Sequence, residues 1–292
     1  MHVPPRRCAH GSRRGPLDPR QARGGAAVKG EGPAGRGKGG PAPFRAGVHR
    51  CRVGGRIGRR TWTRGGRRMI GTIGTREREA LRRALAGLAG EVRLLVFTDR
   101  AGGRAACPFC EETVRLAEEL AAASGRVRLE VHDLREEQEV AAAHGVERVP
   151  ALVLLGADGR DPGIRFLGIP AGFELATVIQ ALALLASGEH GLRPATAEAL
   201  AGLEREVRIR VFVTPTCPYC PRAALTAMRM AMGSDRVRAE VVEVSEFPDL
   251  GDRYGVYGVP KTVVDDAVEL EGAAPEEVVL EAVLRAAGRG ER

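Results

Sequence analysis

Four cysteines at matched spacing are the residues best suited to carry chemistry. They form two CxxC motifs, Cys107-Pro108-Phe109-Cys110 and Cys217-Pro218-Tyr219-Cys220. Paired CxxC motifs can bind zinc, but a zinc ribbon places its second pair about 15 to 20 residues after the first. Here 106 residues separate the two pairs. The spacing therefore favours disulfide chemistry, and we expect no metal site.

The short loop within each motif favours a reversible disulfide over a structural one. A cross-link stabilises a fold more as the loop that it closes grows longer, so a bond across two residues restrains little. Each first cysteine falls where a loop turns into a helix, near free N–H groups and the positive end of the helix dipole, which stabilise a thiolate. We therefore predict Cys107 and Cys217 as nucleophiles. Cys110 and Cys220 would resolve the mixed disulfides.

An internal repeat surrounds the two motifs. Three further landmarks recur at the same offset of 110 residues: 126–131 as 236–241, Gly145-Val146 as Gly255-Val256, and Val149-Pro150 as Val259-Pro260. Upstream of the motifs the offset becomes 115, so the first copy has five extra residues between Asp99 and Ala106. Self-similarity of this kind predicts two copies of one structural unit.

Each copy predicts the same order of elements. Short apolar runs indicate buried strands, and longer stretches with apolar residues on one face indicate helices. The predicted strands are 94–98, 127–131 and 151–155, then 209–214, 237–244 and 262–264. The predicted helices are 75–88, 111–123 and 174–186, then 195–203, 222–232 and 276–287, with a linker at 187–194. Strands that alternate with helices predict an α/β fold.

Two prolines stand at a fixed distance from the motifs. Pro150 and Pro260 each follow a valine and lie 43 residues after Cys107 and Cys217. From the residues alone they could simply begin edge strands, because most X-Pro bonds in folded proteins are trans. Their common spacing, together with the CxxC motifs and the strand order, leads to a family resemblance.

The chain resembles the thioredoxin superfamily and, more narrowly, the glutaredoxin-like protein disulfide oxidoreductases of thermophilic archaea and bacteria. The resemblance covers about residues 70 to 288. It implies two tandem thioredoxin-fold units, each a central mixed sheet flanked by helices, at 69–192 and 193–292. The segments that carry it are Val211-Phe212-Val213-Thr214-Pro215-Thr216-Cys217-Pro218-Tyr219-Cys220-Pro221, Tyr257-Gly258-Val259-Pro260-Lys261 and Phe166-Leu167-Gly168-Ile169-Pro170-Ala171-Gly172.

The resemblance also assigns roles to the residues before the third strand of each copy. It implies that Pro150 and Pro260 are cis and face the CxxC motifs. The backbone of Val149 and of Val259 would then be open to pair with an extended substrate, as in strand addition.

The implied activity is reduction, formation or isomerisation of protein disulfides, and with it a part in cell redox homeostasis. It needs no bound cofactor beyond the redox-active disulfides Cys107–Cys110 and Cys217–Cys220. The expected partners are proteins with cysteines or disulfides, and a thioredoxin-reductase-like flavoprotein as electron donor. Two alternatives stay open: an electron-relay module that serves a peroxiredoxin, and a thioredoxin-fold binding protein without turnover.

One acid stands near the end of the second predicted strand in each copy. Asp133 and Glu243 continue the alternation that places apolar residues of these strands on one face. Because the strands that lead to the CxxC motifs contain no carboxylate, these acids are candidates to pass a proton to the resolving cysteine. The alternative is an exposed acid at a strand end.

Residues 1–68 differ in composition from the rest of the chain. They hold 18 Lys and Arg against two acids, with 16 Gly and 7 Pro, and carry a formal charge of +16, whereas the other 224 residues carry −8. Such a composition predicts a disordered tail. Ser12-Arg13-Arg14 resembles the start of a twin-arginine signal, but no apolar run follows. We interpret the tail as an upstream extension, with Met69 as the native start.

Charge and hydropathy bear on the remaining partners. Because the basic residues are concentrated in the tail and no nucleic-acid-binding motif accompanies them, the total of +8 does not indicate a nucleic-acid partner. The chain has no apolar run of the roughly 18 residues that a membrane span needs. Without a signal sequence we expect the cytoplasm, where a disulfide enzyme fits a thermophile.

Overall fold

A computed structural model describes residues 74–288, so the predicted tail and the interpretation of Met69 as the start lie outside the described residues. The elements follow in the order α1 (Thr75–Leu85), β1 (Val92–Thr98), α2 (Gly103–Ala106), α3 (Cys110–Ala123), β2 (Val127–Asp133), α4 (Gln138–Ala143), β3 (Ala151–Leu155), β4 (Ile164–Leu167), α5 (Glu174–Ser187), α6 (Pro194–Ala201), β5 (Val207–Val213), α7 (Cys220–Gly233), β6 (Val237–Glu243), α8 (Pro248–Arg253), β7 (Lys261–Val264), β8 (Val268–Glu271) and α9 (Glu276–Gly288).

All eight of these strands form one mixed sheet in the order β2-β1-β3-β4-β6-β5-β7-β8. Each copy contributes four neighbouring strands with the same pairing: its first strand is parallel to its second and antiparallel to its third, and its third is antiparallel to its fourth. The copies join where β4 runs parallel to β6, from Ile164 opposite Ala239 to Leu167 opposite Val242. The two thioredoxin-like units therefore share a continuous sheet.

The direction of the strands brings both CxxC motifs to the same edge of the sheet. Two successive antiparallel pairings, β1 with β3 and β3 with β4, leave β4 parallel to β1, and β4, β6 and β5 are parallel to one another. β1 and β5 therefore end at the same edge, four strand spacings apart, which is about 19 Å along the sheet. Each motif follows the end of its strand.

The two faces of the sheet are covered differently. The alternation of strand side chains sends Leu94 and Val96 to one face and Leu95 and Phe97 to the other. The first face packs against α1, α3, α5, α6, α7 and α9, and the second against the short helices α4 and α8. Because α3 and α7 lie on the same face, both cysteine pairs reach the sheet edge from that side.

The predicted fold class is confirmed, as is each predicted helix and strand, with ends shifted by a few residues. The prediction omitted α2, α4, α8, β4 and β8, which are four to six residues long. Elements of that length span too few residues to show a periodic pattern. Among the described helices, none is long and apolar enough to cross a membrane.

Candidate active sites at the two CxxC motifs

Both cysteine pairs lie at disulfide distance. Cys107 and Cys110 have their Cα atoms 5.4 Å apart, and Cys217 and Cys220 have theirs 5.5 Å apart, with the sulfur atoms of each pair joined. Among the described residues, no group of three or more His, Cys, Asp or Glu side chains is arranged to hold a metal ion.

The helix start positions the sulfur atoms as the sequence predicts. α3 begins at Cys110 and α7 at Cys220, so each first cysteine lies just ahead of a helix N-terminus. In the second site the Cys220 backbone N–H donates to Cys217 Sγ at 3.1 Å. This donor and the positive end of the helix dipole favour a thiolate at Cys217 once the pair is reduced.

The prolines take the geometry that the resemblance implies. The Val149–Pro150 and Val259–Pro260 peptide bonds are both cis. In the second site the Val259 carbonyl oxygen lies 3.6 Å from Cys217 Sγ. In the first, the residue after Pro150 begins β3 opposite Phe97, near the end of β1. The strand that carries each proline therefore lies beside the strand that leads to its CxxC motif.

Access to the cysteines differs between the sites. In the second site Cys217 keeps 8% of its surface exposed and Cys220 none, as expected for a nucleophile and a resolving partner. In the first site the order is reversed, with 2% for Cys107 and 7% for Cys110. The sequence offered no signal for this reversal, because the two motifs differ only in one aromatic residue.

The extra residues of the first copy lie in an ordered loop between β1 and its CxxC motif. They include α2, and the Cys107 backbone N–H donates a hydrogen bond of 3.0 Å to the carbonyl of Gly103, the first residue of that helix. Asp99 accepts the Gly102 N–H at 2.7 Å and forms an ion pair with Arg135, also at 2.7 Å. These contacts fix the loop that leads to Cys107.

Asp133, the last residue of β2, is buried beside this loop and is not exposed. Its carboxylate accepts the backbone N–H groups of Arg100, Arg135 and Glu136. Burial raises the pKa of this carboxyl, but these three donors outweigh burial, so the net pKa of Asp133 is lowered. The carboxylate therefore stays charged and links the loop after β1 to the loop after β2.

Glu243 occupies the equivalent position in the second copy and is also buried. It accepts the backbone N–H groups of Ser245 and Glu246 at 3.2 and 2.9 Å. Glu246 in turn accepts the Ile169 N–H at 2.7 Å, and burial, with a smaller contribution from Glu243, raises the pKa of Glu246 to about 7. The proton-transfer role of Asp133 and Glu243 stays a prediction, since the contacts described here are to loop backbone.

The structure adds one carboxylate that the sequence analysis missed. Glu174, the first residue of α5, is fully buried, and the hydroxyl of Thr177, one turn along the same helix, is the donor nearest to its carboxyl among the described contacts. Burial raises the pKa of Glu174 to about 7. An acid at a helix start is ordinarily explained by the helix dipole, so nothing in the sequence distinguished it. The equivalent acid in the second copy, Glu276, pairs with arginines instead.

Glu174 lies at the same end of the fold as the second cysteine pair. α5 packs along α7. At one end the Phe173 N–H donates to the Pro215 carbonyl, two residues before Cys217, at 3.0 Å. At the other end Arg229 Nε donates to the His190 carbonyl at 3.1 Å, beyond the last turn of α5. The two helices therefore run in the same direction, and both begin at the edge of the sheet where β5 ends.

A cleft of about 530 Å³ lies between α4 and α8, on the face away from the cysteine helices. Four of its six arginines pair with acids of the same cleft, such as Arg165 with Asp161 and Arg210 with Glu240. Because these charges satisfy one another, we assign the cleft no ligand.

Comparison with known proteins agrees with this geometry. The family model for the thioredoxin domain matches residues 103–161 and 207–285. The thioredoxin of Methanocaldococcus jannaschii is 35% identical over 79 residues, which are 27% of this chain and 93% of that protein. A protein disulfide oxidoreductase from Aeropyrum pernix aligns with a TM-score of 0.69 at 33% identity, over 75% of this chain and 96% of its own.

A second solved structure is the N-terminal domain of the alkyl hydroperoxide reductase subunit AhpF from Enterococcus faecalis. It aligns with a TM-score of 0.64 at 28% identity, over 70% of this chain and 97% of that domain. The chain belongs to the thioredoxin family. With two CxxC pairs at disulfide distance on tandem thioredoxin-like units, it is a thiol–disulfide oxidoreductase.

Proposed function

We propose that the protein exchanges disulfides with other proteins and that Cys217 and Cys220 carry most of this activity. The observation that supports the proposal is the set of contacts around Cys217 Sγ. It receives a backbone N–H from Cys220 and faces the Val259 carbonyl, next to the cis proline, Pro260. Of the two predicted nucleophiles, Cys217 is also the more exposed.

Reduction of a substrate begins with Cys217. Its thiolate attacks one sulfur of the substrate disulfide, a mixed disulfide forms, and the other substrate sulfur leaves as a thiolate. The extended substrate would lie along the backbone of Val259, and in the first site along that of Val149, as an added strand.

The second step releases the substrate. Cys220 loses its thiol proton, attacks Cys217 Sγ, and expels the second substrate thiolate as the Cys217–Cys220 disulfide forms. Glu174 is suited to accept this proton because its pKa of about 7 lies near neutral pH. Asp133 is less suited, because its lowered pKa makes it a weaker base.

Each turnover moves two electrons from the dithiol to the substrate, and an outside reductant must return them. We propose a thioredoxin-reductase-like flavoprotein as this donor. The reverse sequence would form disulfides in substrate proteins. We propose that the reaction takes place in the cytoplasm.

Reduction of insulin by the wild type and two variants tests the proposal. We expect Cys217→Ser to lower the rate of insulin reduction more than about tenfold and Cys107→Ser to lower it about twofold or less, since a missing nucleophile stops exchange at its own site. Equal losses would show two sites of similar activity. A wild type that reduces no insulin would exclude protein-disulfide reduction and leave the binding function.

A second candidate function is an electron relay that serves a peroxiredoxin. The structural likeness to the AhpF domain favours it. Peroxide turnover with a flavoprotein reductase and a peroxiredoxin tests this role. If the protein is a relay, peroxide turnover should be fast with Cys107→Ser and absent with Cys217→Ser. The wild type should also reduce insulin at a much lower rate than it supports peroxide turnover.

A further inference from the structure

We propose that Phe173, Tyr219 and Tyr257 form an aromatic rim around Cys217 that selects substrate cysteines flanked by large apolar side chains. The occupant is an extended segment of a non-native polypeptide, whose apolar residues are still open to solvent. The proposal rests on the proposed function of the second site and specifies its substrate class.

The exposure of these side chains is unusual for this chain. Among residues 74–288, five large apolar side chains are exposed, and three of them are these aromatic residues. Phe173 is 50% exposed, Tyr219 68% and Tyr257 fully. Aromatic rings bring a large apolar contact area at a low cost in conformational entropy, which makes them effective in recognition surfaces.

Each aromatic residue is carried by a segment that contacts the second site. Tyr219 lies between the two cysteines. Tyr257 lies two residues before Val259, whose carbonyl faces Cys217 Sγ at 3.6 Å. Phe173 comes from the first copy, and its N–H is bonded to the carbonyl of Pro215.

A substrate strand paired with the Val259 backbone would place the neighbours of its cysteine within reach of this rim. Successive side chains of a strand point to opposite sides. Apolar residues on either side of the reacting cysteine could therefore contact different members of the rim. Such contacts are not tied to one sequence, which suits an enzyme that acts on many unfolded segments.

The first site lacks the equivalent surface. The residues at the repeat positions of Tyr257 and Gly258 are Glu147 and Arg148, and Arg148 forms an ion pair with Asp249 at 2.7 Å. Phe109, the counterpart of Tyr219, is partly buried. We therefore expect the preference for apolar flanks at the second site only.

Two peptides of equal charge test the rim. Both carry one cysteine as a mixed disulfide with 2-mercaptoethanol, flanked by Leu and Phe in the first peptide and by Ser and Asn in the second. The reduced Cys107→Ser, Cys110→Ser protein, in which only the second site keeps its thiols, cleaves them in single-turnover experiments. We expect a ratio of rate constants of about tenfold in favour of the apolar peptide.

Adding Phe173→Ser and Tyr257→Ser should bring this ratio to within about twofold. Tyr257→Ser alone should lower it partly, and because Tyr257 is fully exposed this variant keeps the fold. The control is Leu284→Ser, which removes an exposed apolar residue from α9 and should leave the ratio unchanged. A Cys217→Ser protein should show a ratio near one.

The outcomes separate this proposal from the proposed function. If the Cys107→Ser, Cys110→Ser protein cleaves both peptides at equal rates, the rim is refuted and disulfide exchange at the second site stands. An unchanged ratio in the rim variants also refutes the rim. If neither peptide is cleaved, nor hydroxyethyl disulfide, exchange at the second site is itself refuted.

Discussion

The two CxxC sites of this chain have the same type of motif, helix start and cis proline, yet different parts of the molecule pack beside them. The first site follows its own long loop, which contains α2 and which Asp99 and Asp133 hold in place. The second has a short loop, and the segment before α5 of the other copy packs against it. That segment ends at Phe173, and Glu174 follows as the first residue of α5.

This difference follows from the order of the copies in the chain. The join between β4 and β6 places the last loop of the first copy beside the site of the second. Its counterpart in the second copy is the loop before α9. That loop follows β8, the last strand of the sheet order, and is therefore far from β1 and the first site. A tandem repeat of nearly identical motifs therefore produces two unequal sites.

A substitution at Gly172, where the segment before α5 packs against the loop of the second site, should have the largest effect on stability. Gly172 has a φ of +58°, and a Cβ there would lie 2.2 Å from the Pro215 carbonyl oxygen. We expect Gly172→Ala to lower the free energy of unfolding by about 4 kcal/mol, from left-handed strain and this overlap. Urea denaturation measures it.

Gly188→Ala is the matched control for this substitution. Its φ is +72°, but a Cβ there meets nothing within 4 Å. Only the strain of the left-handed backbone remains, so the loss should be about 1 to 2 kcal/mol. Equal losses in the two variants would mean that the close approach to Pro215 contributes nothing.

The buried acid of the second site should make stability depend on pH. The folded pKa of Glu174, about 7, exceeds its ordinary value of 4.5. The folded state therefore binds the proton more tightly, and this group lowers stability as the pH rises from 4.5 to 7. Glu174→Gln, which mimics the neutral acid, should be more stable than the wild type by up to about 3 kcal/mol above pH 7.

This gain should vanish below about pH 4.5, where the wild-type carboxyl is protonated in both states. Unfolding free energies across this pH range measure it. Glu276→Gln, at the same helix position in the second copy, should show no gain at high pH, because the wild-type carboxylate there is paired with arginines and has a lowered pKa. A pH-independent difference for Glu174→Gln would contradict the assignment.

Loss of the proton acceptor should also slow the second step of exchange at the second site. We expect Glu174→Gln to resolve its mixed disulfide about a hundredfold more slowly near pH 7, the scale of general-base catalysis. Rapid quenching and mass spectrometry would show the Cys217 mixed disulfide accumulate. Glu246→Gln removes another buried acid of raised pKa, and unchanged resolution in that variant would assign the effect to Glu174.

Opening the first site should have the smallest effect on stability. Asp133→Asn removes a charge that accepts three backbone N–H groups, and we expect a loss of about 1 to 2 kcal/mol with faster alkylation of reduced Cys107. Because its folded pKa is lowered, this contribution is complete above the ordinary pKa of 3.8 and fades as the pH falls below it. Glu243→Gln should leave the alkylation of Cys107 unchanged.

Much of the fold could be read from local pattern. The strands next to the motifs and the long helices were predicted because a helical face or an apolar run extends over enough residues to be recognised. β4 and α8 were not, because four and six residues carry too little periodicity. The exposure of Asp133 was misjudged, because an acid at a strand end looks the same whether it meets water or three loop N–H groups.

The sequence by itself determined the chemistry: the paired cysteines, their place ahead of helices, and the prolines 43 residues later all follow from residue type and spacing. Only the tertiary structure decided which site is open and which acid is buried. Those properties depend on the β4–β6 join and on the packing of α5 along α7. Such contacts unite segments far apart in the chain, and burial, which sets the pKa of Glu174, is a property of the assembled core.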